Sequence, residues 1–507
     1  MSNVSQKLVS GSALRVANVG AATLISVLIL PFIIRMLGDR MYGVWTLVAT
    51  FIGYYGVLDL GLNTAVTRYL SRSLATQDHE ESNRVFNSAL RIYLGLAVVV
   101  LLVAVTTAFL SPFFAKSRQD ARLFFAVILI LGVSLALQFP TRVFTGALEA
   151  HLRFDQTAGF DLLTLALRTG LIIVILLAGY KIVGLAWVTL LSGIPSMAFS
   201  IYYTFKELPF LRFESRYWGV QTAKTLFSYS SYSLIAGLAN ILRFQVDNIV
   251  VASFIGLEAV THYRIAGALV QYFFVFMSSI MGVLPSVFSR QEGAQDHKAI
   301  RKTFLLATKI AICITCFIAF GMIAWGAPFI QRWMGSKYTD AYPVLVVLVS
   351  AYTLNLWQGP AASLLYGVSK HKFIAVLNTV EGIVNLALSL WLVRIYGMMG
   401  VALGTLIPMV FTRLFINPAY ACRVAGVSYR EYARRMGKTL GIVAASLIAP
   451  FVLSMKLVRP NYPSLFIAGS FSLFAYGIAL WMFEFSPEET ELIRRAIPSR
   501  EALPPAD

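Results

Sequence analysis

Charged residues are scarce in this sequence, and acidic residues are the scarcest. Asp, Glu, Lys and Arg together make up 13% of the 507 residues, whereas 58% are hydrophobic. A soluble domain contains about a quarter charged residues and about half apolar ones. The composition therefore excludes an ordinary soluble protein and predicts an all-α polytopic membrane protein.

Cysteine is nearly absent as well, which excludes a disulfide framework. The three cysteines are Cys313, Cys316 and Cys422. Cys313 and Cys316 have the spacing of half a redox or zinc motif, but they lie within an apolar run and the sequence has no second pair. We interpret them as small residues of a membrane helix.

The sequence also lacks the motifs of catalysis and nucleotide binding. It has no Walker A motif, so the chain itself is not expected to hydrolyse ATP. Its five histidines show no metal-ligand spacing, and its acidic residues form no external cluster. We therefore predict that the protein is not an enzyme and holds no metal or other cofactor.

Long apolar runs account for most of the sequence. A helix that crosses a membrane needs about 20 mostly apolar residues, and by that rule we predict about fourteen spans. Prolines interrupt several of them, and such breaks are tolerated where neighbouring helices satisfy the freed backbone groups. The expected centres are Leu24, Phe51, Val99, Leu131, Leu167, Leu191, Ala239, Val275, Cys316, Leu354, Leu386, Leu406, Ser446 and Phe471.

The formal net charge of +18 is explained better by topology than by nucleic-acid binding. Basic residues collect on the cytoplasmic side of membrane proteins. Connections such as 206–224 and 423–438 are rich in Lys and Arg, whereas opposite connections such as 38–41 and 180–182 are tight turns. About twice as many basic residues fall on the first side, which predicts that both termini are cytoplasmic.

The chain contains an internal repeat at a shift of 218 residues. Ser71-Arg72 then meets Ser289-Arg290, and Gln77-Asp78-His79 meets Gln295-Asp296-His297. These pairs are polar and share one register, which favours a duplication over a chance alignment of apolar helices. Each copy holds about six spans, an even number, so the copies are predicted to be parallel repeats related by a pseudo-two-fold axis along the membrane normal.

The repeat and the charge pattern together divide the chain into five predicted regions. A cytoplasmic linker, whose aromatic residues among Lys and Arg suit the membrane interface, joins two lobes of about six helices each. A further pair of spans and a charged tail follow. The predicted bounds are 1–205 for the N-terminal lobe, 206–225 for the linker, 226–425 for the C-terminal lobe, 426–485 for the added spans and 486–507 for the cytoplasmic tail.

Charged and amide side chains inside the apolar runs are the candidate functional residues. A charge at a helix centre costs about 2.5 to 3.5 kcal/mol on insertion scales. Counted together with Arg15 and Arg413, such residues lead us to expect a hydrated cavity that holds more positive than negative charge. The candidates are Asp59, Asn63, Arg142, Asp161, Arg168, Arg243, Asp247, Asn378, Glu381 and Asn385.

Some charged residues in the spans also have a structural interpretation. Arg243 and Asp247 lie four residues apart on one helix face, so they either neutralise each other or face the lumen. Arg15 lies about one turn into the first span, and we expect its side chain to extend to the cytoplasmic surface. We interpret Arg413 in the same way.

One stretch near the N-terminus carries a family resemblance. The residues that carry it are Pro31, Arg35 to Gly38, Tyr42-Gly43, Trp45, Leu58 to Leu62 and Arg68-Tyr69. In these positions the sequence resembles the polysaccharide transporter branch of the multidrug/oligosaccharidyl-lipid/polysaccharide flippase superfamily. The layout of two lobes with an added pair of spans, which is MATE-like, covers nearly the whole chain.

The resemblance implies an oligosaccharide flippase of a bacterial inner membrane. Such proteins move a repeat unit linked to undecaprenyl diphosphate from the cytoplasmic to the periplasmic leaflet, for export of O-antigen, capsule or exopolysaccharide. One alternative is a cation-coupled drug exporter of the same fold, which would favour acids over arginines in its cavity. Another is a membrane glycosyltransferase or polymerase, which usually needs a sizeable external loop that carries acids.

Under this interpretation the arginines and amides contact the cargo, because guanidinium groups bind phosphate through charge-assisted hydrogen bonds. The expected substrate contacts are Arg142, Arg168, Arg243, Asn63, Asn378 and Asn385. The candidates for charge balance or for coupling to H⁺ or Na⁺ are Asp59, Asp161, Asp247 and Glu381. The expected partners are a polyprenyl-diphosphate-linked glycan, membrane lipids, and polysaccharide polymerase and chain-length proteins, with no nucleic acid.

The repeat gives Asp59 an apolar counterpart, so this acid belongs to one lobe only. At the shift of 218 residues that counterpart is Met277. A residue that the repeated fold requires would have been kept twice. The asymmetry therefore favours a role for Asp59 in the transport path.

Overall fold

A computed structural model gives the fold. The structure describes residues 2–59, 61–114, 117–228, 246–457 and 461–484. Every regular element in these ranges is helical, and no strand occurs in them. The prediction of an all-α protein is confirmed for this part of the chain.

Twenty α-helices follow one another along the described ranges. They are α1 Ser2–Leu37, α2 Asp39–Gly56, α3 Leu62–Ala75, α4 His79–Phe109, α5 Ser111–Phe114, α6 Arg118–Ala150, α7 Phe154–Leu177, α8 Ile182–Glu207, α9 220–228, α10 Val246–Phe254, α11 Leu257–Met281, α12 Leu284–Gly293, α13 His297–Trp333, α14 Ala341–Trp357, α15 Gly359–Gly367, α16 His371–Tyr396, α17 Met398–Phe411, α18 Asn417–Ala425, α19 Tyr429–Leu457 and α20 Tyr462–Phe483. A π-helical turn, Thr412–Ile416, joins α17 to α18.

Eleven candidate membrane spans occur in the described ranges. The remaining three of the expected spans differ from these eleven. The second is divided between α2 and α3, and the thirteenth corresponds to α19, which is not among the eleven. The expected centre of the seventh, Ala239, lies outside the described residues. A polytopic membrane protein is confirmed, and the number fourteen stays a prediction.

The two Gln-Asp-His triplets form the same structure in both copies of the repeat. Gln77 and Gln295 have positive φ angles of 54° and 53°. The carboxylates of Asp78 and Asp296 then cap α4 and α13, each by accepting a hydrogen bond of 2.9 Å from a backbone N–H three residues on. The sequence identity therefore reflects a shared local fold.

Residues with positive φ extend this correspondence along the chain. Gly38 pairs with Gly256, Leu152 with Ser369, and Gly179 with Gly397, each at a separation of 217 or 218 residues. Left-handed backbone is uncommon for a residue such as Leu152. Its recurrence at matched positions supports a duplicated fold.

The chain divides into two compact units, each made of residues that pack mainly against one another. The first comprises Met1–Arg264 with Ser389–Val401, and the second comprises Ile265–Leu388 with Ala402–Asp507. Their bounds are not those of the repeat, and the predicted lobe boundaries stay a prediction.

Close packing of α4, α6 and α8 forms the centre of the first unit. A Cβ on Gly132 of α6 would lie 2.5 Å from the Cβ of Ala104 on α4, so only glycine permits this approach. Small residues allow membrane helices to pack closely in this way. Several turns away along the same two helices, the rings of Phe86 and Phe144 pack against each other edge to face, with their centroids 5.4 Å apart.

The second unit has its own apolar core around α13. Phe288, Phe304 and Trp357 belong to one buried cluster, and the ring of Tyr432 stacks on that of Phe304 with centroids 5.6 Å apart. On the outside of both units large apolar side chains are exposed, as at Leu28 and Phe466. Such surfaces suit contact with lipid rather than water.

Two buried asparagines of α4 hold the segment that follows α8. The side-chain amide of Asn83 donates to the backbone carbonyl of Phe210 at 3.0 Å and accepts from the N–H of Arg212 at 2.7 Å. Asn87, one turn further on, donates to the carbonyl of Arg212 at 2.8 Å and accepts from the N–H of Glu214 at 3.1 Å. We call these four bonds the asparagine clamp.

Candidate functional site

The helical path from α2 to α3 in the first unit is interrupted at Asp59. α2 ends at Gly56, and a 3₁₀ turn over Val57–Asp59 follows. Gly61 then has a φ of 70°, a left-handed conformation that glycine adopts without steric cost, and α3 starts after it. The interruption removes Asp59 from a regular helix inside an otherwise apolar stretch.

Asp59 forms an ion pair with Arg142 of α6. The distance from Arg142 Nη1 to Asp59 Oδ2 is 2.9 Å. The hydroxyl of Tyr93 on α4 donates a hydrogen bond of 2.5 Å to the other carboxylate oxygen, and the guanidinium carbon of Arg142 lies 5.2 Å from the centroid of the Phe139 ring. Three partners thus compensate the desolvation of two charges.

A cavity of about 320 Å³ lies between α6, α7 and α8 of the first unit. Its lining is rich in hydroxyl groups and includes two arginines, one acid and one amide. The lining residues are Ser134, Leu137, Gln138, Thr141, Arg142, Thr145, Asp161, Thr164, Arg168, Leu190, Gly193, Ile194, Ser196 and Met197.

Arg168 is the cation of this cavity with the least compensation. Its Nε donates to the hydroxyl of Ser192 on α8 at 3.3 Å, which is a neutral partner. In the described part of the chain no carboxylate forms an ion pair with it. The hydroxyl of Thr164, one turn earlier on α7, is buried and has no hydrogen-bond partner in that part of the chain. Both groups remain able to bind a ligand that enters the cavity.

The cavity unites three of the residues that the sequence singles out, Arg142, Asp161 and Arg168, and Asp59 joins them through its ion pair. Asn63 lies elsewhere, on α3, against α6. A Cβ on Gly146 would lie 2.9 Å from its side-chain oxygen, which is buried and has no hydrogen-bond partner among the described residues. Asn63 does not line the cavity.

A second polar cluster lies inside the second unit. Arg413, in the π-helical turn, pairs with Glu381 of α16 at 3.1 Å and donates a hydrogen bond of 2.9 Å to the side-chain oxygen of Asn378. The hydroxyl of Thr412 donates to the same carboxylate. The expectation that Arg413 extends to the membrane surface is wrong. Arg413 is only 3% exposed, and its charge is paired with that of Glu381.

The other candidates of the C-terminal half are buried or lie outside the described residues. Asn385 donates to the hydroxyl of Thr405 at 3.1 Å. Asp247 accepts a hydrogen bond of 2.7 Å from the hydroxyl of Tyr263. Arg243 lies outside the described residues, as does the side chain of Arg15. The choice between a structural pair and a lumen role for Arg243 and Asp247 therefore stays open.

The hydroxyl groups of the cavity, and Tyr93 as a partner of Asp59, were not predicted from the sequence. A signal for the first was present, because Ser134, Gln138, Thr141 and Thr145 follow one another at helical spacings of four and three residues on α6. Nothing local marks Tyr93, which meets Asp59 only through the packing of α4.

More than half of the chain matches a known family. A family model described as "Polysaccharide biosynthesis protein" matches residues 32–343.

Three known proteins are similar to most of this chain. The membrane protein EpsK of Bacillus subtilis, described as uncharacterized, is 24% identical over 92% of this chain and 94% of its own length. The putative O-antigen transporter of Shigella flexneri is 20% identical over 78% and 94%. Agl15 of Haloferax volcanii, described as a probable low-salt glycan biosynthesis flippase, is 22% identical over 78% and 79%.

Two solved structures share the fold. An inward-facing multidrug resistance MATE family transporter of the MOP superfamily has a TM-score of 0.71 and 18% identity, and covers 80% of this chain and 94% of its own. The lipid II flippase MurJ has a TM-score of 0.69 and 15% identity, and covers 96% and 99%. At these identities the likeness is one of fold.

Proposed function

Because this chain belongs to the polysaccharide biosynthesis protein family, we propose that it is a flippase for a lipid-linked oligosaccharide. The family resemblance expected from the sequence is confirmed, as is the MATE-like helical fold. The proposed cargo is an oligosaccharide on polyprenyl diphosphate, which moves from the cytoplasmic to the periplasmic leaflet for export of a surface polysaccharide. In this role the protein is a transporter and not an enzyme.

The observation that carries the proposal is the cavity around Arg168. A diphosphate needs fixed positive charge in a partly desolvated site, and Arg168 provides one with only a hydroxyl as its partner. The lining hydroxyls and the amide of Gln138 suit the hydroxyl groups of sugars. The volume of about 320 Å³ lies at the lower end of the range for small-molecule sites, which suits a diphosphate with an adjoining sugar.

The polyprenyl tail sets the remaining requirement. It is apolar, so it can stay in lipid against the exposed apolar faces of the spans while the polar headgroup crosses inside the protein. Alternating access of the headgroup cavity to the two leaflets would complete the cycle.

A drug exporter of the same fold is the second candidate, and the polar clusters disfavour it. An organic cation needs an acid that is free to bind it. Asp59 and Glu381 instead face arginines at 2.9 Å and 3.1 Å. The cavity lining itself holds two arginines against one acid, Asp161, so positive charge exceeds negative charge where a cationic drug would require the reverse.

The coupling ion and the setting belong to the same proposal. We propose a bacterial inner membrane with both termini cytoplasmic, and polymerase and chain-length proteins as the partners that receive the exported unit. Coupling to H⁺ or Na⁺ would act through one of four acids, Asp59, Asp161, Asp247 or Glu381. Each of these lies in a polar environment within its own unit.

The test follows lipid-linked repeat units in cells that lack any redundant flippase. A membrane-impermeant periodate treatment of spheroplasts oxidises only the sugars that have reached the outer leaflet. Deletion of the gene is expected to leave the repeat units protected, and the protein with Arg168→Ala to restore exposure far less well than the wild type. Arg84→Ala, at an exposed arginine outside the cavity, is the matched control. Full exposure in the deletion strain would refute the proposal.

A further inference from the structure

The ion pair between Asp59 and Arg142 occupies a group that the cargo itself would bind. We propose that Asp59 is an internal counter-anion, which holds Arg142 while the cavity is empty and which the anionic group of the cargo displaces. The inference rests on the proposed function and adds to it the way in which the cavity responds to an anion. Asp59 is then a positioning residue, and Arg142 is the cargo contact.

The first support is the position of the pair relative to the cavity. Arg142 lines the cavity and its side chain is 33% exposed, whereas Asp59 is not among the lining residues and its side chain is 15% exposed. An anion in the cavity would therefore approach Arg142 from the open side and compete with the carboxylate behind it. The guanidinium carbon of Arg142 also lies over the ring of Phe139, a contact that does not depend on Asp59.

The second support is the fate of the same positions in the repeat. Asp59 corresponds to Met277, and Tyr93 corresponds to Ala311 at the same shift. Pro140 aligns with Pro360, which places Arg142 opposite Ala362. Where the first copy has a tyrosine, an aspartate and an arginine, the second has methionine and two alanines.

The second copy packs these positions into an ordinary apolar core. Met277 and Ala311 are 0% and 2% exposed, and they belong to one cluster with Phe273, Met281 and Leu356. The repeated fold is therefore stable without any polar group here. At positions that apolar packing fills in the second copy, the first copy holds a fully buried tyrosine and a partly exposed ion pair, which indicates a function of the charges themselves.

Tyr93 explains how Asp59 tolerates displacement. Its hydroxyl donates to Asp59 Oδ1, whereas Arg142 contacts Oδ2. When an anion takes Arg142, the carboxylate keeps the tyrosine hydrogen bond and is not left without a partner. The two oxygens thus have separate tasks, one that holds Asp59 in place and one that changes partner.

The inference predicts opposite effects for two neighbouring substitutions. Asp59→Asn removes the competing charge, so the purified full-length protein in lipid nanodiscs should bind inorganic pyrophosphate about tenfold more tightly or better. Tyr93→Phe removes the partner that Asp59 keeps after displacement, so binding should become weaker. If Asp59, Tyr93 and Arg142 had a merely structural role, both substitutions would change the affinity for pyrophosphate in the same direction.

A second arm shows whether the gain passes through Arg142. The double variant Asp59→Asn with Arg142→Gln should bind pyrophosphate no more tightly than Arg142→Gln alone. Asp120→Asn is the matched control, because Asp120 pairs with Arg40 at 2.7 Å in the same unit but outside the cavity, and it should leave binding unchanged.

The outcomes separate this inference from the proposed function. Unchanged or weaker binding by Asp59→Asn, a gain that persists without Arg142, or no pyrophosphate binding by the wild type would overturn the inference. The flippase proposal would survive all three if repeat units remain stranded in the deletion strain. Conversely, full exposure of repeat units in that strain would refute the flippase alone, since the pyrophosphate measurement does not depend on the cargo.

Discussion

Gly43 of α2 lies directly against the backbone carbonyl of Leu257, the first residue of α11, and a Cβ on Gly43 would overlap that carbonyl oxygen. Both residues belong to the first unit. Close by, the hydroxyl of Thr261 donates to the carbonyl of Asp39 at 2.6 Å. The two turns that the repeat relates, at Gly38 and Gly256, thus lead into helices whose backbones touch.

We expect Gly43→Ala to destabilise the protein by about 1–3 kcal/mol, because the added methyl group must displace backbone rather than a flexible side chain. Thermal unfolding in detergent measures the effect. Gly95→Ala is the control, since a Cβ on Gly95 meets nothing within 4 Å. An equal melting temperature for both variants would contradict the contact.

Filling the cavity should reduce transport without unfolding the protein. Gly193 lines the cavity, and a Cβ there has no atom within 4 Å, so the side chain of Gly193→Leu would enter the cavity. Outer-leaflet exposure of the repeat units should fall several-fold while the melting temperature stays within a few degrees. Gly170→Leu is the matched control on α7, since Gly170 has equal space but is not a lining residue.

The pair of Glu381 and Arg413 should show strong non-additivity. Either Glu381→Met or Arg413→Met leaves one buried charge without its partner, which costs about 3–5 kcal/mol. The double variant removes both charges, and its loss should be smaller than that of either single variant. Chemical or thermal unfolding of the three proteins measures this. Additive losses would show that the two side chains do not compensate each other.

Loss of the asparagine clamp should open the following segment to protease. Asn87→Ala removes two hydrogen bonds to the backbone of this segment, a loss of about 1–3 kcal/mol. Arg212 and Arg216 have exposed side chains, so trypsin should cleave there several-fold faster than in the wild type. Gln221→Ala, at an exposed position outside the clamp, should not change the rate.

The helix caps at Asp78 and Asp296 should stabilise the folded protein by similar free energies. Asp78→Ala and Asp296→Ala each remove one hydrogen bond of 2.9 Å at the start of a long helix, so each should destabilise the protein by about 1 kcal/mol. Melting temperatures of the two variants measure this. Lys298→Ala, at an exposed residue without a capping role, is the control. A large effect of one cap alone would argue against equivalent turns.

The sequence predicts the helical fold and the repeat well, because both depend on patterns that local residues carry. Apolar runs define spans, and the Gln-Asp-His triplets mark matching caps. The arrangement of the polar sites is harder to predict from the sequence. Arg142 and Arg168 stand out in the sequence as charges in apolar runs, but the contacts of Asp59 with Tyr93 and Arg142 depend on how a 3₁₀ turn packs against two separate helices.

Arg413 is a residue whose position the sequence predicts wrongly. Its place near a helix end predicts a side chain that reaches the membrane surface, and the structure places it inside instead. The π-helical turn over Thr412–Ile416 turns it toward Glu381. A single extra residue in a turn changes the face on which a side chain lies, and no composition or periodicity reports that change.

The asparagine clamp recognises peptide groups alone, since Asn83 and Asn87 bond to the main chain of residues 210, 212 and 214. It therefore fixes the register of this segment without restricting which side chains the segment carries. The outward side chains, such as the exposed Phe213, could be exchanged for a fluorophore or for the opposite charge without loosening the attachment. One inserted residue, by contrast, would put every later amide out of phase with its asparagine.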